Sequence, residues 1–133
     1  MLKWGPQFET GIKSIDEQHE KFVKMMNQLL GSGYSADRPQ EILDVIKKLN
    51  DYAGYHFSFE EKIFEDNGYS ESELHKEQHR VFAERLKKYE RDASQGNPPK
   101  ASALFAEMKG WLIQHISQED MKGAKDLKSK GVV

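Results

Sequence analysis

The chain has 133 residues, no cysteine, and 20 basic against 22 acidic side chains, for a net charge of -2. That length suits one domain over 1–133, able to bury a core without covalent staples, and the missing thiols exclude disulfides, thiolate metal sites and cysteine nucleophiles. The interspersed, near-neutral charge gives no footprint for nucleic acid, no apolar run approaches the roughly 20 residues of a membrane span, and Met1 to Phe8 lack an apolar signal core, so a soluble, cytoplasmic protein is expected.

The pattern is helical almost throughout, in four long segments separated by breakers. Trp4, Gly5, Pro6 and Gly11 make the first dozen residues a non-helical arm, with Trp4 and Phe8 as its packing groups. The first helix is expected after Ser14, which has capping-box spacing to Glu17. Its apolar stripe is Ile15, His19, Phe22, Met26 and Leu29, and Gly31 and Gly33 end it. The second opens near Asp37, with Pro39 in its first turn. Its stripe runs Ile42, Ile46, Leu49, Ala53, His56, Glu60, Ile63 until Asn67-Gly68. The third opens with Ser70 and Glu73, and its stripe is His75, His79, Phe82, Leu86 and Tyr89. After the break at Gln95-Gly96-Asn97-Pro98-Pro99, the fourth starts at Pro98 or Pro99 with Asn97 as cap. Its stripe is Leu104, Met108, Trp111 and His115, and a short basic tail from Met121 reads as one more helical piece.

Short links between long amphipathic helices favour antiparallel neighbours. The expected fold is therefore all-α, an up-down-up-down antiparallel four-helix bundle with an N-terminal arm and a short C-terminal helical tail. In such a bundle His19 (early), His56 (late), His75 and His79 (early) and His115 (late) fall at one end, in one layer.

All five histidines lie on apolar stripes. About three positions in seven of an amphipathic helix face the core, so five of five by chance is on the order of one in a hundred. One such histidine alone reads as a buried ring bonded to a neighbour. Five in one layer would need five separate partners, or would repel one another if charged. A metal ion satisfies them together, since neutral imidazole is a good ligand. His75 and His79 stand four apart, as do His56 and Glu60, so each pair shares a face. Glu60 alone could be a solvated glutamate at the stripe's margin, and its neighbour Glu61 is expected to point away. His115 and Asp120 are five apart, a poor match to 3.6 residues per turn. The helix is therefore expected to end or bend before Asp120, which turns inward while capping the tail; taken alone it reads as a cap. Seven donors exceed one octahedral shell and suit two ions with both carboxylates bridging. Iron fits this mixture of nitrogen and oxygen, and tetrahedral zinc fits it less well.

The sequence around these donors resembles the hemerythrin family, most closely its single-domain bacterial members. The matching stretches are Gly11-Ile12 with Ile15-Asp16-Glu17-Gln18-His19, and His56-Phe57-Ser58-Phe59-Glu60-Glu61. They continue with His75-Lys76-Glu77-Gln78-His79 and Trp111-Leu112-Ile113-Gln114-His115-Ile116, followed by Asp120. Myohemerythrin, from the same family, is an up-down bundle. The resemblance implies two iron ions bridged by Glu60, Asp120 and a solvent-derived oxo or hydroxo group. It implies that His75, His79 and His115 hold the coordinatively full iron, and that His19 and His56 hold the iron with an open position. It implies reversible dioxygen binding by a carrier, store or delivery protein, without enzymatic activity and with an unnamed oxygen-using acceptor. Trp111, Phe57 and Ile116 are expected to line or back the dioxygen pocket. One departure is Phe64, where the family pattern favours a smaller or more flexible residue, often Met.

Two other functions fit a di-iron bundle. One is an oxidase or peroxidase-type enzyme. Those of the ferritin-like class use Glu-x-x-His pairs, whereas Ala53, Ser72, Lys76 and Leu112 stand three residues before His56, His75, His79 and His115. Asp16 has that spacing to His19 but suits the first helical turn. The other is a free-standing oxygen or redox sensor.

Overall fold

A computed structural model describes residues 2–31 and 39–132, and those residues hold no strand. A short 3-10 turn (Pro6–Phe8) precedes α1 (Lys13–Gly31), α2 (Pro39–Asp66), α3 (Ser72–Ser94) and α4 (Ala101–Gln114). A π-helical segment (His115–Asp120) and α5 (Met121–Ser129) follow without a break. α1 packs on α2 and α4, and α2 packs on α3. The result is the expected all-α bundle with its arm and tail. No helix among the described residues is long and apolar enough to cross a membrane.

The apolar stripes do the folding work. Ile15, Phe22, Met26, Leu29, Ile42, Ile46, Leu49, Ala53, Phe82, Leu86, Leu104 and Met108 are all buried. Each large side chain so buried contributes roughly 1.5–3 kcal/mol. They fall into two clusters. The larger runs from Phe22, Ala53, Phe57, Phe82 and Leu112 along the bundle, and the smaller joins Ile12, Ile15, Phe64, Tyr69, Ala124 and Leu127. On α1 and α2 the polar stripe residues fall between members of the two: His19 between Ile15 and Phe22, His56 and Glu60 between Ala53 and Phe64. The polar layer is thus sealed at both ends by hydrocarbon.

The helix ends correct the sequence expectation. α1 begins at Lys13, so Ser14 is its second residue and does not cap it. The entering chain is tied instead by Asp16, whose carboxylate accepts from the Thr10 N–H and hydroxyl (2.7 Å each) and from the Gly11 N–H (3.1 Å). α3 begins at Ser72, two residues after the expected Ser70. Ser70 lies in a turn where the Tyr69 N–H returns to the Phe64 carbonyl (3.0 Å). α4 begins at Ala101, because Asn97 donates its N–H to the Asp92 carbonyl (2.8 Å) and so closes α3. Each proline of Pro98-Pro99 also disfavours the helical conformation in the residue before it. Ile63 is half-buried and Phe64 fully buried in its place. The expected stop at Gly33 and start near Asp37 lie outside the described residues.

Candidate metal centre

His19 comes from the second turn of α1, and His56 and Glu60 from successive turns of α2. His75 and His79 come from the first turns of α3, and His115 and Asp120 from the two ends of the π-helical segment. None of the seven is more than 4 % exposed. Their donor atoms form two groups, each within 4.8 Å. One is Glu60, His75, His79, His115 and Asp120; the other is His19, His56, Glu60 and Asp120.

The two carboxylates belong to both groups, and each divides its oxygens between them. Asp120 Oδ2 lies 3.0 Å from His19 Nε2, while Oδ1 lies 3.0 Å from both His75 Nε2 and His115 Nε2. Glu60 Oε2 lies 3.3 Å from His19 Nε2 and 3.2 Å from His56 Nε2. Its Oε1 contacts His75 Nε2 and lies 3.2 Å from His79 Nε2. His79 Nε2 and His115 Nε2 face each other at 3.0 Å.

These close approaches are mostly not hydrogen bonds. His19 Nε2, Glu60 Oε2 and both Asp120 oxygens are buried without a hydrogen-bond partner, although each has a counterpart within 3.3 Å. Lone pairs that pass one another at that range are aimed at a third point. Each unsatisfied buried polar atom costs about 1–3 kcal/mol. A cation at the focus of each group satisfies all of them, so the residues fit a metal centre on their own geometry.

The register of Asp120 corrects the sequence expectation. The α-helix does end before it, at Gln114, but the chain stays helical through a π-helical segment, and Asp120 makes no side-chain cap bond to α5. In an α-helix five residues turn about 500°, roughly 140° past a full turn, and the two side chains would diverge. The π-helical segment widens the turn instead: the Met121 N–H donates to the Ile116 carbonyl, five residues back. That hydrogen-bond spacing is what puts residues five apart on one face.

The outer atoms of two histidines are also fixed. His56 donates from Nδ1 to Gln18 Oε1 (2.8 Å), and His79 donates from Nδ1 to Glu61 Oε2 (2.9 Å). A carboxylate can only accept, so the His79 proton sits on Nδ1 and Nε2 keeps its lone pair for the centre. The Tyr52 hydroxyl donates to the Gln18 carbonyl (2.9 Å). Glu61 therefore does not point away, as sequence spacing suggested; it leaves the α2 stripe toward α3. Neither it nor Gln18 or Tyr52 carries a periodicity signal, because their partners lie on other helices.

Aromatic rings orient the imidazoles. Phe57 stacks on His79 (4.0 Å, 8°) and Trp111 on His115 (4.3 Å, 15°). Ile116 is fully buried in the larger apolar cluster. Phe57 and Trp111 thus back the three-histidine group. Beside the other group, Phe57 also lies 5.8 Å from His56, with Phe22 at 6.4 Å from His56 and Trp4 at 6.5 Å from His19. Phe64 stands edge-on to His75 (4.8 Å, 90°).

Without metal, protons take the cation's place. Burial pushes His19 down, but the Asp120 and Glu60 carboxylates outweigh it and carry it up to about 9. The same balance carries His75 up to about 10. At His56 burial wins and holds the ring below its ordinary value. For Glu60 burial is outweighed by His56, His19 and His75, which hold the carboxyl well below the usual range. Asp120 is likewise held down: burial and Glu60 push it up, and His115 and His19 outweigh them.

Residues 10–123 match the family described as the hemerythrin HHE cation binding domain. A bacteriohemerythrin of Pseudomonas paraeruginosa is 37% identical over 119 residues, covering 90% of this chain and 76% of its own. One from Stenotrophomonas maltophilia is 33% identical over 129 residues (97% and 83%). A hemerythrin-like protein of Naegleria gruberi is 32% identical over 121 residues (91% and 89%).

Proposed function

Since the chain belongs to the hemerythrin family, we propose that it binds dioxygen reversibly at two iron ions, as a carrier, store or delivery protein and not as an enzyme. The observation that carries this reading is the division of Glu60 and Asp120, one oxygen toward each histidine group. A carboxylate so divided would hold two ions, one on each oxygen, when they are bound. His75, His79 and His115 would hold one ion through three nitrogens, whereas His19 and His56 would hold the other through two. The two-histidine ion is then the one with room for dioxygen. Iron there supplies the electrons that dioxygen accepts on binding and returns on release.

The chain's own residues support binding over oxygen cleavage. Five neutral imidazoles against two carboxylates form a nitrogen-rich set, unlike the carboxylate-rich sites of ferritin-like di-iron proteins. Phe57, Trp111 and Phe22 surround the donors with hydrocarbon, which limits the water and protons that would expel bound oxygen in a reduced form. The test is metal analysis of protein grown with ample iron, with spectra of the anaerobically reduced protein before and after air. Two irons per chain and a visible band that appears in air and fades under vacuum are expected. One metal per chain, zinc in its place, or irreversible oxidation would overturn the reading.

A further inference from the structure

We infer that Glu61 and Gln18 make the two irons unequal: the carboxylate behind His79 favours the ferric state of the three-histidine iron, while the neutral amide behind His56 leaves the two-histidine iron the easier to keep ferrous. This inference rests on the di-iron reading. Its basis is an asymmetry in what stands behind the histidines. Among the described residues, His79 and His56 are the histidines whose Nδ1 meets a side-chain acceptor, one on each side of the centre. His19 Nδ1 and His75 Nδ1 are buried without a partner. The difference between the two supports is one full negative charge.

An imidazole that donates to a carboxylate gains anionic character and becomes a stronger donor to its metal. An amide oxygen does the same much more weakly. Oxidation adds positive charge to a buried ion, and the nearer anion offsets it most. Glu61 is 26 % exposed, so part of its field is screened; Gln18 is 9 % exposed and uncharged. Both supports are held in place. The face-to-face stack of Phe57 fixes the plane of His79, and the Tyr52 hydroxyl fixes the Gln18 backbone. Loss of the first electron is therefore directed to the iron remote from the open position. The mixed-valence form keeps its ferrous ion on the side of His19 and His56.

The test uses Glu61→Gln and Gln18→Glu in the iron-loaded full chain. Glu61→Gln keeps an acceptor for His79 and removes only the charge; Gln18→Glu adds a charge behind His56. Iron content is measured first, and mediated redox titrations with visible spectra follow. With two irons retained, Glu61→Gln should shift the first oxidation to higher potential by roughly tenfold in its equilibrium constant, about 59 mV for one electron. Gln18→Glu should instead lower the potential of the second step and narrow the gap between the two. Unchanged potentials in both variants, with two irons bound, would reduce Glu61 to an orienting role and overturn the inference. If Glu61→Gln loses iron, the gap in Gln18→Glu decides alone. Fewer than two irons in the unaltered chain would instead mark failure of the di-iron premise.

Discussion

Replacing Gly123 by alanine should destabilise the protein, although alanine is the better helix former. Gly123 lies in α5, and a Cβ built there meets Phe64 Cζ at 2.7 Å, Cε2 at 3.0 Å and Cε1 at 3.2 Å. The ring cannot retreat: Phe64 is fully buried, with Tyr69 at 5.3 Å and His75 at 4.8 Å around it. Overpacking of this kind costs about 1–3 kcal/mol, against the ~1 kcal/mol that alanine gains over glycine in a helix. The expected net loss is thus about 1 kcal/mol, up to ~2. Gly54 and Gly110 are internal controls, since a Cβ there meets nothing within 4 Å. Their alanine variants should gain up to ~1 kcal/mol. Chemical denaturation of all three, with Phe64→Leu and the Phe64→Leu/Gly123→Ala pair, completes a double-mutant cycle. The pair should be less damaging than the sum of its members by about 1 kcal/mol. If Gly123→Ala is as stable as the parent, or the cycle is additive, the steric argument is wrong.

Three further outcomes follow from the site. In the metal-free protein, the stability contributed by protonated His19 and His75 is complete below about 6.5, the ordinary histidine value. It is lost as pH rises through about 9 to 10, so the thermal midpoint should fall over that window, while the depressed His56 opposes it only below about 6.5. A midpoint flat from pH 7 to 10 would contradict this. Because metal must displace those protons, iron or cobalt affinity should weaken as pH falls, which competition with a chelator at pH 6 and 8 measures. Trp111→Ala removes the ring stacked on His115 and widens a cavity of about 190 Å³ that His115 and Trp111 line together with Gln78, Gln114 and Glu119. Autoxidation of the oxygenated protein should then quicken several-fold in stopped-flow traces; an unchanged rate in a folded variant would make Trp111 ordinary packing.

Much of this was legible in the sequence because helical periodicity is local. The spacing His75 to His79, or His56 to Glu60, states a shared face without reference to the rest of the chain. Antiparallel order then collects the faces at one depth, and the seven expected side chains do converge. Asp120 was harder, since a fixed 3.6-residue period has no way to align residues five apart, and a single wide turn leaves no compositional mark. Glu61 was misjudged for a different reason: leaving the stripe of its own helix is not the same as facing water when another helix stands there. Asn97 illustrates competition. It suits a cap on α4, but its N–H serves the end of α3, and two prolines delay the next helix.

The wide turn between His115 and Asp120 also decides where the bundle gives. α4 and α5 form one shaft without a loop, and its lower end is pinned: Lys130 donates to the carbonyls of Asn67 (2.9 Å) and Gly68 (3.2 Å), and Lys122 pairs with Glu71 (2.6 Å). In a shaft of uniform pitch, moving one carboxylate by a fraction of an ångström would mean sliding the whole rod against two packed hydrocarbon clusters. Six residues wound with spare circumference need no such sliding. Their longer backbone rings flex while the α-helical stretches on either side stay seated, so compliance is confined to Asp120, one of the two carboxylates that both histidine groups share.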